Sequence, residues 1–254
     1  MRIVIITQNE PFYLTKNLRY LLTILPKHSK VVGFVVNDVS PFGKKESFFA
    51  KAKKTYKIFG FNFFMYYSFK YLKSKFNSNN NIFKFLKSNS IPIIRLNETI
   101  NNPQSVSKIK SFYPDLLVSI LGNQIFKTPI INLAPKGCIN LHTSLLPKYR
   151  GLMPSFWVLK NNELKTGVSV FFIDEGIDSG PIIVQTEIEI KNRTLEELIN
   201  YTKKIGMEAI SKSIDLIQKN EVKLIENNHH KKTYFTFPKR EDVLEFKKLG
   251  KKFF

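Results

Sequence analysis

Residues 137–151 read GCINLHTSLLPKYRG, an apolar stretch that ends in Asn140, Leu141 and His142 and then breaks into proline, basic residues and glycine. Side chains two residues apart in a strand point to the same side. Asn140 and His142 therefore share one face at the end of a predicted strand, while Leu141 turns into the packing. Because ligands bind beyond the carboxyl ends of the strands in open α/β sheets, a ligand site is expected here.

Apolar runs around this stretch predict the rest of the fold. A strand at 2–7, a helix at 11–25 and a strand at 30–37 form a βαβ unit, which implies a parallel sheet. Residue Thr194 with Glu197 three positions on is a capping-box pattern that opens a long helix at 194–220. Further strands are predicted at 92–96, 115–121, 137–141, 167–173 and 182–190, a short strand at 222–225, and helices at 44–60 and 155–161. The sequence therefore predicts an α/β fold with a mostly parallel sheet.

The charge of the chain is strongly positive. The formal net charge is +20 over 254 residues, and residues 41–110 hold fourteen Lys or Arg against two acids. Such a field favours polyanions such as tRNA, nucleotide-linked substrates or anionic membranes, although lysines also serve simply to keep a protein soluble. The aromatic and basic stretch 61–76 predicts either a helix that lies on a membrane surface or one that packs its aromatic face on the sheet.

Several classes of protein are disfavoured. The one cysteine, Cys138, excludes a disulfide within the chain and a cysteine-based zinc cluster, and its apolar neighbours predict a buried, inert thiol. The N-terminal MRIVIITQNE lacks the features of a signal peptide, and no run of about eighteen apolar residues is present. We therefore expect a cytoplasmic protein without a transmembrane segment and without a metal.

Asp178 lies in the predicted loop FIDEGIDSGPII (172–183), where glycines allow tight bends. A carboxylate near an imidazole favours the charged form of the imidazole, and an Asn amide with a His N–H can bind an oxyanion. Asn140, His142 and Asp178 together thus suit acyl transfer. Because no G-x-S-x-G nucleophile elbow is present, direct attack by a substrate amine is favoured over a covalent acyl-enzyme. Alternatively, His142 is a satisfied polar residue and Asp178 a turn former.

The order Asn140-x-His142, Ser144 to Pro147, Gly151, Gly167-Val168 and Asp178-x-Gly180 resembles the signature of the formyltetrahydrofolate-dependent formyltransferases, across about residues 113–190. That family includes glycinamide ribonucleotide transformylase, methionyl-tRNA formyltransferase and amino-sugar N-formyltransferases. The resemblance implies a Rossmann-like, twisted sheet with flanking helices, a catalytic domain over 1–220 and a short basic C-terminal extension over 221–254. It also implies an enzyme that moves a formyl group from N10-formyltetrahydrofolate to a primary amine.

The same resemblance implies residue roles. His142 would stabilise the oxyanion and help to move protons, Asn140 would donate a hydrogen bond to the formyl oxygen, and Asp178 would accept a proton from the amine. Lys148 and Arg150 would either meet a substrate phosphate or simply be exposed. Thr143 departs from relatives that carry a small residue or proline there. The folate would lie among Leu121, Gly122, Asn123, Gln124, Ile125, Phe126, Ser144, Leu145, Leu146, Pro147, Ile173, Asp174 and Gly176.

The acceptor amine is less well defined. Glycinamide ribonucleotide enzymes hold a phosphate on a glycine-rich loop after the first strand, but TQNEPFYL (7–14) has no glycine. Methionyl-tRNA formyltransferases carry a further OB-fold-like domain, whereas 64 residues follow Ile190 here. We therefore expect an anionic, nucleotide-linked amino sugar or another small amine. Alternatives are initiator tRNA, which the charge favours, hydrolysis of formyltetrahydrofolate, and a nucleic-acid or membrane-surface binding module on an inactive core. The aromatic, basic tail at 234–254 would cover the acceptor site, dock on the surface or form a homodimer contact.

Overall fold

The structure is a computed structural model that describes residues 1–39, 47–122 and 124–254. The strands are β1 (Arg2–Gln8), β2 (Lys30–Asn37), β3 (Leu116–Ser119), β4 (Cys138–His142), β5 (Arg150–Gly151), β6 (Lys165–Phe172), β7 (Ile182–Glu189) and β8 (Tyr234–Phe235). The helices are α1 (Leu14–Ile24), α2 (Phe48–Phe59), α3 (Phe61–Phe76), α4 (Ile82–Ser88), α5 (Pro103–Lys110), α6 (Thr128–Ile131), α7 (Pro154–Lys160), α8 (Leu195–Lys219) and α9 (Arg240–Lys248).

Six strands form one sheet in the order β2-β1-β3-β4-β6-β7. The first four are parallel, and β6 and β7 run antiparallel to their neighbours. Along β1, Ile3 and Ile5 pack into one apolar cluster, whereas Val4 and Ile6 pack into another. Helices thus cover both faces of the sheet, as parallel strands require. The predicted α/β fold with a mostly parallel, twisted sheet is confirmed.

The strand predicted at 92–96 is wrong. Ile93 forms a single isolated bridge with Phe34, flanked by bonds from the Phe34 N–H to the Pro92 carbonyl (2.9 Å) and from the Ile94 N–H to the Phe34 carbonyl (2.7 Å). Pro92 has no N–H to donate to a ladder. The segment therefore pairs with the edge of β2 at one position only and does not continue as a strand. The candidate at 222–225 likewise makes only one bridge, Ile225 to Ile182.

Two predicted helices are set by their caps. The helix expected at 194–220 is present as α8, and the Thr194–Glu197 capping box forms with both of its hydrogen bonds. The expected helix at 44–60 is α2, whose N-cap Ser47 accepts a bond from the Ala50 N–H; residues 40–46 lie outside the described residues. Helix α5 was not anticipated, although Asn102 followed by Pro103 is a strong helix start.

Helix α3 has two different faces. Its inner aromatic face packs on the C-terminal segment, residues 221–254. The ring centroid of Phe63 lies 4.9 Å from that of Phe253 in this segment. Its outer face carries an exposed apolar stripe at helical spacing, 50% to 89% exposed: Phe61, Met65, Phe69, Leu72 and Phe76. The partner of the aromatic face is therefore the C-terminal segment. None of the described helices is long and apolar enough to cross a bilayer.

The C-terminal segment is folded onto the rest of the chain. Strand β8 pairs in parallel with β5, and the ring of Phe246 in α9 stacks on Phe156 in α7 at 4.9 Å. The Trp157 indole donates a hydrogen bond to the Thr236 carbonyl at 3.0 Å. These contacts bring residues 227–237 beside the turn that follows β4.

Candidate active site

A cleft of about 310 Å³ lies along one row of the sheet. Ser119 of β3, Asn140 of β4 and Phe171 of β6 are neighbours in register and all line it. The remaining walls come from Gln8 of β1, from Val39 after β2, from β5, from the loops after β3, β5 and β6, and from one residue of the C-terminal segment, Phe237. The cleft therefore opens where the strand pattern predicts a ligand site.

His142 lies beneath this cleft and is only 6% exposed. Its Nε2 lies 2.7 Å from the Tyr149 carbonyl, and its Nδ1 lies 3.5 Å from the Oδ2 of Asp178. Because a carbonyl oxygen can only accept, Nε2 carries a proton. With a carboxylate facing Nδ1, both nitrogens of a protonated ring have acceptors. The expected pairing of His142 with Asp178 is thus present.

Two further contacts fix Asp178. Its Oδ2 accepts a hydrogen bond from the Gly151 N–H at 2.8 Å, and its carbonyl accepts one from the Asn227 side chain at 3.0 Å. Asp178 itself has a φ of +48°, a conformation that costs a non-glycine residue about 1–3 kcal/mol. The surrounding hydrogen bonds hold the carboxylate in place against this strain.

Asn140 completes the set. Its side chain is half-buried in the wall of the cleft and makes no hydrogen bond to any residue that the structure describes. The amide therefore keeps both its donors and its acceptor for a ligand. Asn140 and Asp178 line the cleft directly, and His142 contacts it through Asp178.

The residues predicted to hold the folate separate into two groups. One group lines the cleft: Gly122, Gln124, Ile125, Phe126, Ile173, Asp174 and Gly176. The Gln124 side chain is anchored by accepting the Ile100 N–H at 2.9 Å. Leu121 precedes this group and packs on the core with a φ of +58°. Asn123 lies outside the described residues. The loops after β3 and β6 thus face each other across the cleft.

The other group, Ser144 to Pro147, does not line the cleft. The Ser169 hydroxyl donates to the Ser144 carbonyl at 2.7 Å, and the Gln185 amide donates to the Leu146 carbonyl at 2.9 Å. Leu145 packs so closely on Gly167 that a Cβ there would lie 2.5 Å from its Cδ2. These residues form a largely buried turn that positions Tyr149 to Gly151 beside the site. Their role is therefore structural.

The two basic residues predicted to meet a phosphate differ. Lys148 is exposed, whereas Arg150 is 3% exposed, so the interpretation of Arg150 as an exposed residue is wrong. Its Nη2 donates to the Asn227 Oδ1 at 2.7 Å, and its Nε has no hydrogen-bond partner in the described part of the chain. Burial lowers the pKa of the Arg150 guanidinium, and the nearby Asp178 and Asp174 carboxylates oppose that effect. Arg150 is therefore a buried residue that hydrogen-bonds within the protein.

Sequence reasoning missed Asn227, which lies in ENNHHKK, a stretch without a periodicity or motif that indicates a site. It did not single out Phe237, although one expectation was that the tail containing it covers the acceptor site. Phe237 lines the cleft, and Asn227 binds the Asp178 loop that forms one of its walls. No cluster of His, Cys, Asp or Glu that could hold a metal is found within 1–39, 47–122 and 124–254.

Comparison with known proteins gives consistent results. Residues 71–214 match the family model described as formyl transferase. The methionyl-tRNA formyltransferase of Alkaliphilus oremlandii is 38% identical over 148 residues, which are 58% of this chain and 47% of that protein. The chain spans about half the length of the curated relatives it matches.

Solved structures share the fold. The N-formyltransferase from Helicobacter canadensis, in complex with folinic acid and dTDP-3-aminofucose, aligns with a TM-score of 0.59 at 22% identity, covering 95% of this chain and 72% of that one. The phosphoribosylglycinamide formyltransferase from Anaplasma phagocytophilum aligns with a TM-score of 0.64 at 15% identity, covering 94% and 99%. At these identities the likeness supports the fold alone.

Proposed function

We propose, from the premise that this chain belongs to the formyl transferase family, that it transfers a formyl group from N10-formyltetrahydrofolate to a primary amine. The observation that carries the proposal is the convergence of Asn140, His142 and Asp178 at one cleft. The set brings together a free amide, a buried imidazole and a carboxylate 3.5 Å from that imidazole. These are the groups that acyl transfer by direct amine attack needs.

The donor suits the cleft. Apolar side chains such as Ile125, Phe126 and Ile173 offer packing for a pterin ring, and the Asn140 amide, which has no hydrogen-bond partner among the described residues, can bind a polar group. When bound, N10-formyltetrahydrofolate supplies the formyl carbonyl that the amine attacks. We assign the donor to the walls formed by the loops after β3 and β6.

Each residue of the set has a defined task. The Asn140 amide donates a hydrogen bond to the formyl oxygen as negative charge develops there, which is worth about 3–4 kcal/mol for a well-placed donor. The His142 imidazole, which contacts the cleft through Asp178, helps to move protons at the site. The Asp178 carboxylate, 3.5 Å from the imidazole Nδ1, orients the ring and accepts the proton that the attacking amine loses, directly or through water. General acid–base help of this kind contributes roughly a hundred- to ten-thousand-fold.

For the acceptor, we favour an amino sugar linked to a nucleotide. The neighbour from Helicobacter canadensis was crystallised with dTDP-3-aminofucose, and that likeness motivates the choice. The N-terminus of α1 argues against a phosphate at the position that glycinamide ribonucleotide enzymes use. There the Glu10 carboxylate already accepts the N–H groups of Phe12, Tyr13 and Leu14 at 2.8 to 3.0 Å. An anion of the protein occupies the amides that would bind the phosphate.

Methionyl-tRNA is the second candidate. The curated relatives from Alkaliphilus oremlandii and Clostridioides difficile are methionyl-tRNA formyltransferases, and the net charge of +20 suits a polyanion. A cytoplasmic location and a homodimer remain predictions for either acceptor.

The proposal is tested by formyl transfer from N10-formyltetrahydrofolate to dTDP-linked 3-amino sugars, glycinamide ribonucleotide and methionyl-tRNA, with the products identified by mass spectrometry. His142→Ala should abolish transfer, while His28→Ala, at an exposed histidine remote in sequence, should leave it intact. Transfer to one acceptor identifies the substrate. Loss of the formyl group to water with every acceptor would instead indicate a hydrolase. Absence of donor binding would overturn the proposal.

A further inference from the structure

The C-terminal segment enters the candidate site through one buried polar side chain, Asn227, which is 4% exposed. Its Nδ2 donates to the Asp178 carbonyl at 3.0 Å and to the Gly180 carbonyl at 2.9 Å. Its Oδ1 accepts from the Arg150 Nη2 at 2.7 Å. The amide is therefore fully used, and it joins the loop after β6 to strand β5.

Only an amide side chain of this size can make these contacts. Two donors must face two carbonyl oxygens while one acceptor faces a guanidinium, and Asn offers this combination whereas Asp, Leu and Ala do not. The carbonyls that Asn227 binds flank the strained part of the loop, since Asp178 has a φ of +48°. Asn227 thus holds the loop in a conformation that the backbone alone disfavours.

The Arg150 side of the contact leads to the same carboxylate. Arg150 is buried and held by Asn227, and the next residue, Gly151, donates its N–H to the Asp178 Oδ2 at 2.8 Å. Asn227 therefore fixes Asp178 twice, through the Asp178 backbone and through the strand that grips the Asp178 carboxylate. No other described side chain hydrogen-bonds both the Asp178 loop and β5.

We infer that Asn227 is a positioning residue for formyl transfer, which acts through Asp178 by keeping its carboxylate beside the His142 imidazole. The inference rests on the proposed function. It makes the C-terminal segment part of the active site, although that segment supplies no group that touches the reacting atoms. A displacement of about 1 Å at a reacting group can cost roughly a hundredfold in rate.

The first test is Asn227→Ala. We expect kcat to fall by about ten- to a hundredfold. The KM for N10-formyltetrahydrofolate should change less, because Gln124 in the loop after β3 and Asp174 in the loop after β6 keep their own hydrogen bonds. Asn228→Ala is the matched control. Within the described part of the chain, the Asn228 side chain accepts only the His230 N–H, and the variant should keep the kcat of the wild type.

Asn227→Asp separates positioning from simple filling of space. Aspartate has nearly the volume of asparagine and can pair with Arg150, so the variant should melt no lower than Asn227→Ala. It has no donors for the two carbonyls, and kcat should therefore be as low as in Asn227→Ala. An Asp variant with the kcat of the wild type would show that the residue only fills space and would overturn the inference.

Amide hydrogen exchange at Gly151 gives a readout that does not depend on activity. If Asn227 holds the carboxylate, Asn227→Ala should speed this exchange by about tenfold or more, because the N–H loses its fixed acceptor. Unchanged exchange would overturn the inference. If the wild type transfers no formyl group, the proposed function fails, and the exchange rate still decides whether Asn227 positions Asp178.

Discussion

The Nδ1 of His142 and the Oδ2 of Asp178 lie 3.5 Å apart, and the same oxygen accepts the Gly151 N–H at 2.8 Å. Three segments thus meet at one carboxylate: the end of β4, the turn at β5 and the loop after β6. Strands β4 and β6 belong to the six-stranded sheet, whereas β5 belongs to a separate two-stranded sheet with β8, so the geometry of the site depends on both sheets. The charge of Asp178 and the backbone conformation at Gly151 can therefore be tested with separate variants.

Removal of the charge on Asp178 should impair chemistry more than folding. Asp178→Asn keeps an oxygen that can accept the Gly151 N–H, but it loses the negative charge beside His142. We expect kcat for formyl transfer to fall by about a hundred- to ten-thousandfold, measured by steady-state kinetics. Glu187→Gln, which breaks an exposed ion pair with Lys165, is the control and should keep kcat. Equal kcat in both variants would contradict a catalytic Asp178.

Substitution of Gly151 should cost more than its backbone conformation alone explains. Gly151→Ala and Gly250→Ala both place a side chain at positive φ, +94° and +71°, at about 1–2 kcal/mol each. At Gly151 the new Cβ would also lie 2.2 Å from the Phe235 carbonyl, whereas at Gly250 nothing lies within 4 Å. We expect a larger loss of unfolding free energy and a lower kcat for Gly151→Ala alone. Similar losses in denaturant melts would refute the close approach.

Tyr149 should make stability depend on alkaline pH. Burial, and the hydrogen bond that its hydroxyl donates to Glu163, raise the pKa of Tyr149 to about 12. An unfolded tyrosine titrates near 10. The contribution of the neutral phenol is therefore present below pH 10 and is lost as the pH rises toward 12. The unfolding free energy of the wild type should fall more steeply across this range than that of Tyr149→Phe. Parallel curves would exclude the effect.

Cys138 should report on opening of the core. The thiol is 1% exposed, and burial raises its pKa, so the reactive thiolate is nearly absent in the folded state at pH 8. We expect a thiol reagent such as dithiobisnitrobenzoate to label the native protein only as fast as it unfolds, and to label one thiol per chain at once in denaturant. Rapid labelling of the native protein would contradict the burial of β4.

The sequence predicted most of what depends on local patterns. The βαβ start and the capping box of α8 follow from spacing, and the structure contains both. Asn140 and His142 lie two residues apart in β4, as predicted, but only Asn140 lines the cleft. The strand at 92–96 failed because a short apolar run with a proline does not show whether it pairs along its length. A local pattern indicates the propensity of a segment to form a strand. Whether the segment pairs along its length depends on the neighbouring strand in the folded protein.

The parts of the site that could not be predicted depend on tertiary contacts. Arg150 was expected either to meet a substrate phosphate or to be exposed, yet it lies in β5, which pairs with β8, and it is buried. Asn227 has no local signal, since its partners Asp178 and Arg150 lie far away in the chain. The position of Asp178 in a loop between two predicted strands already connected it with His142, and the resemblance to a family supported that connection; for Asn227 no such guide was present.

The exposed apolar stripe on α3 should make the solubility of the protein depend on the salt concentration. Residues 47–76 contain seven lysines and no acidic residue, so like charges keep two molecules from bringing their stripes together in dilute buffer. Added salt shortens the range of that repulsion, from about 30 Å at 0.01 M to about 8 Å at 0.15 M. The apolar side chains from Phe61 to Phe76 are then free to adhere. The protein should therefore be handled most easily at low ionic strength, and it should cloud as salt is raised.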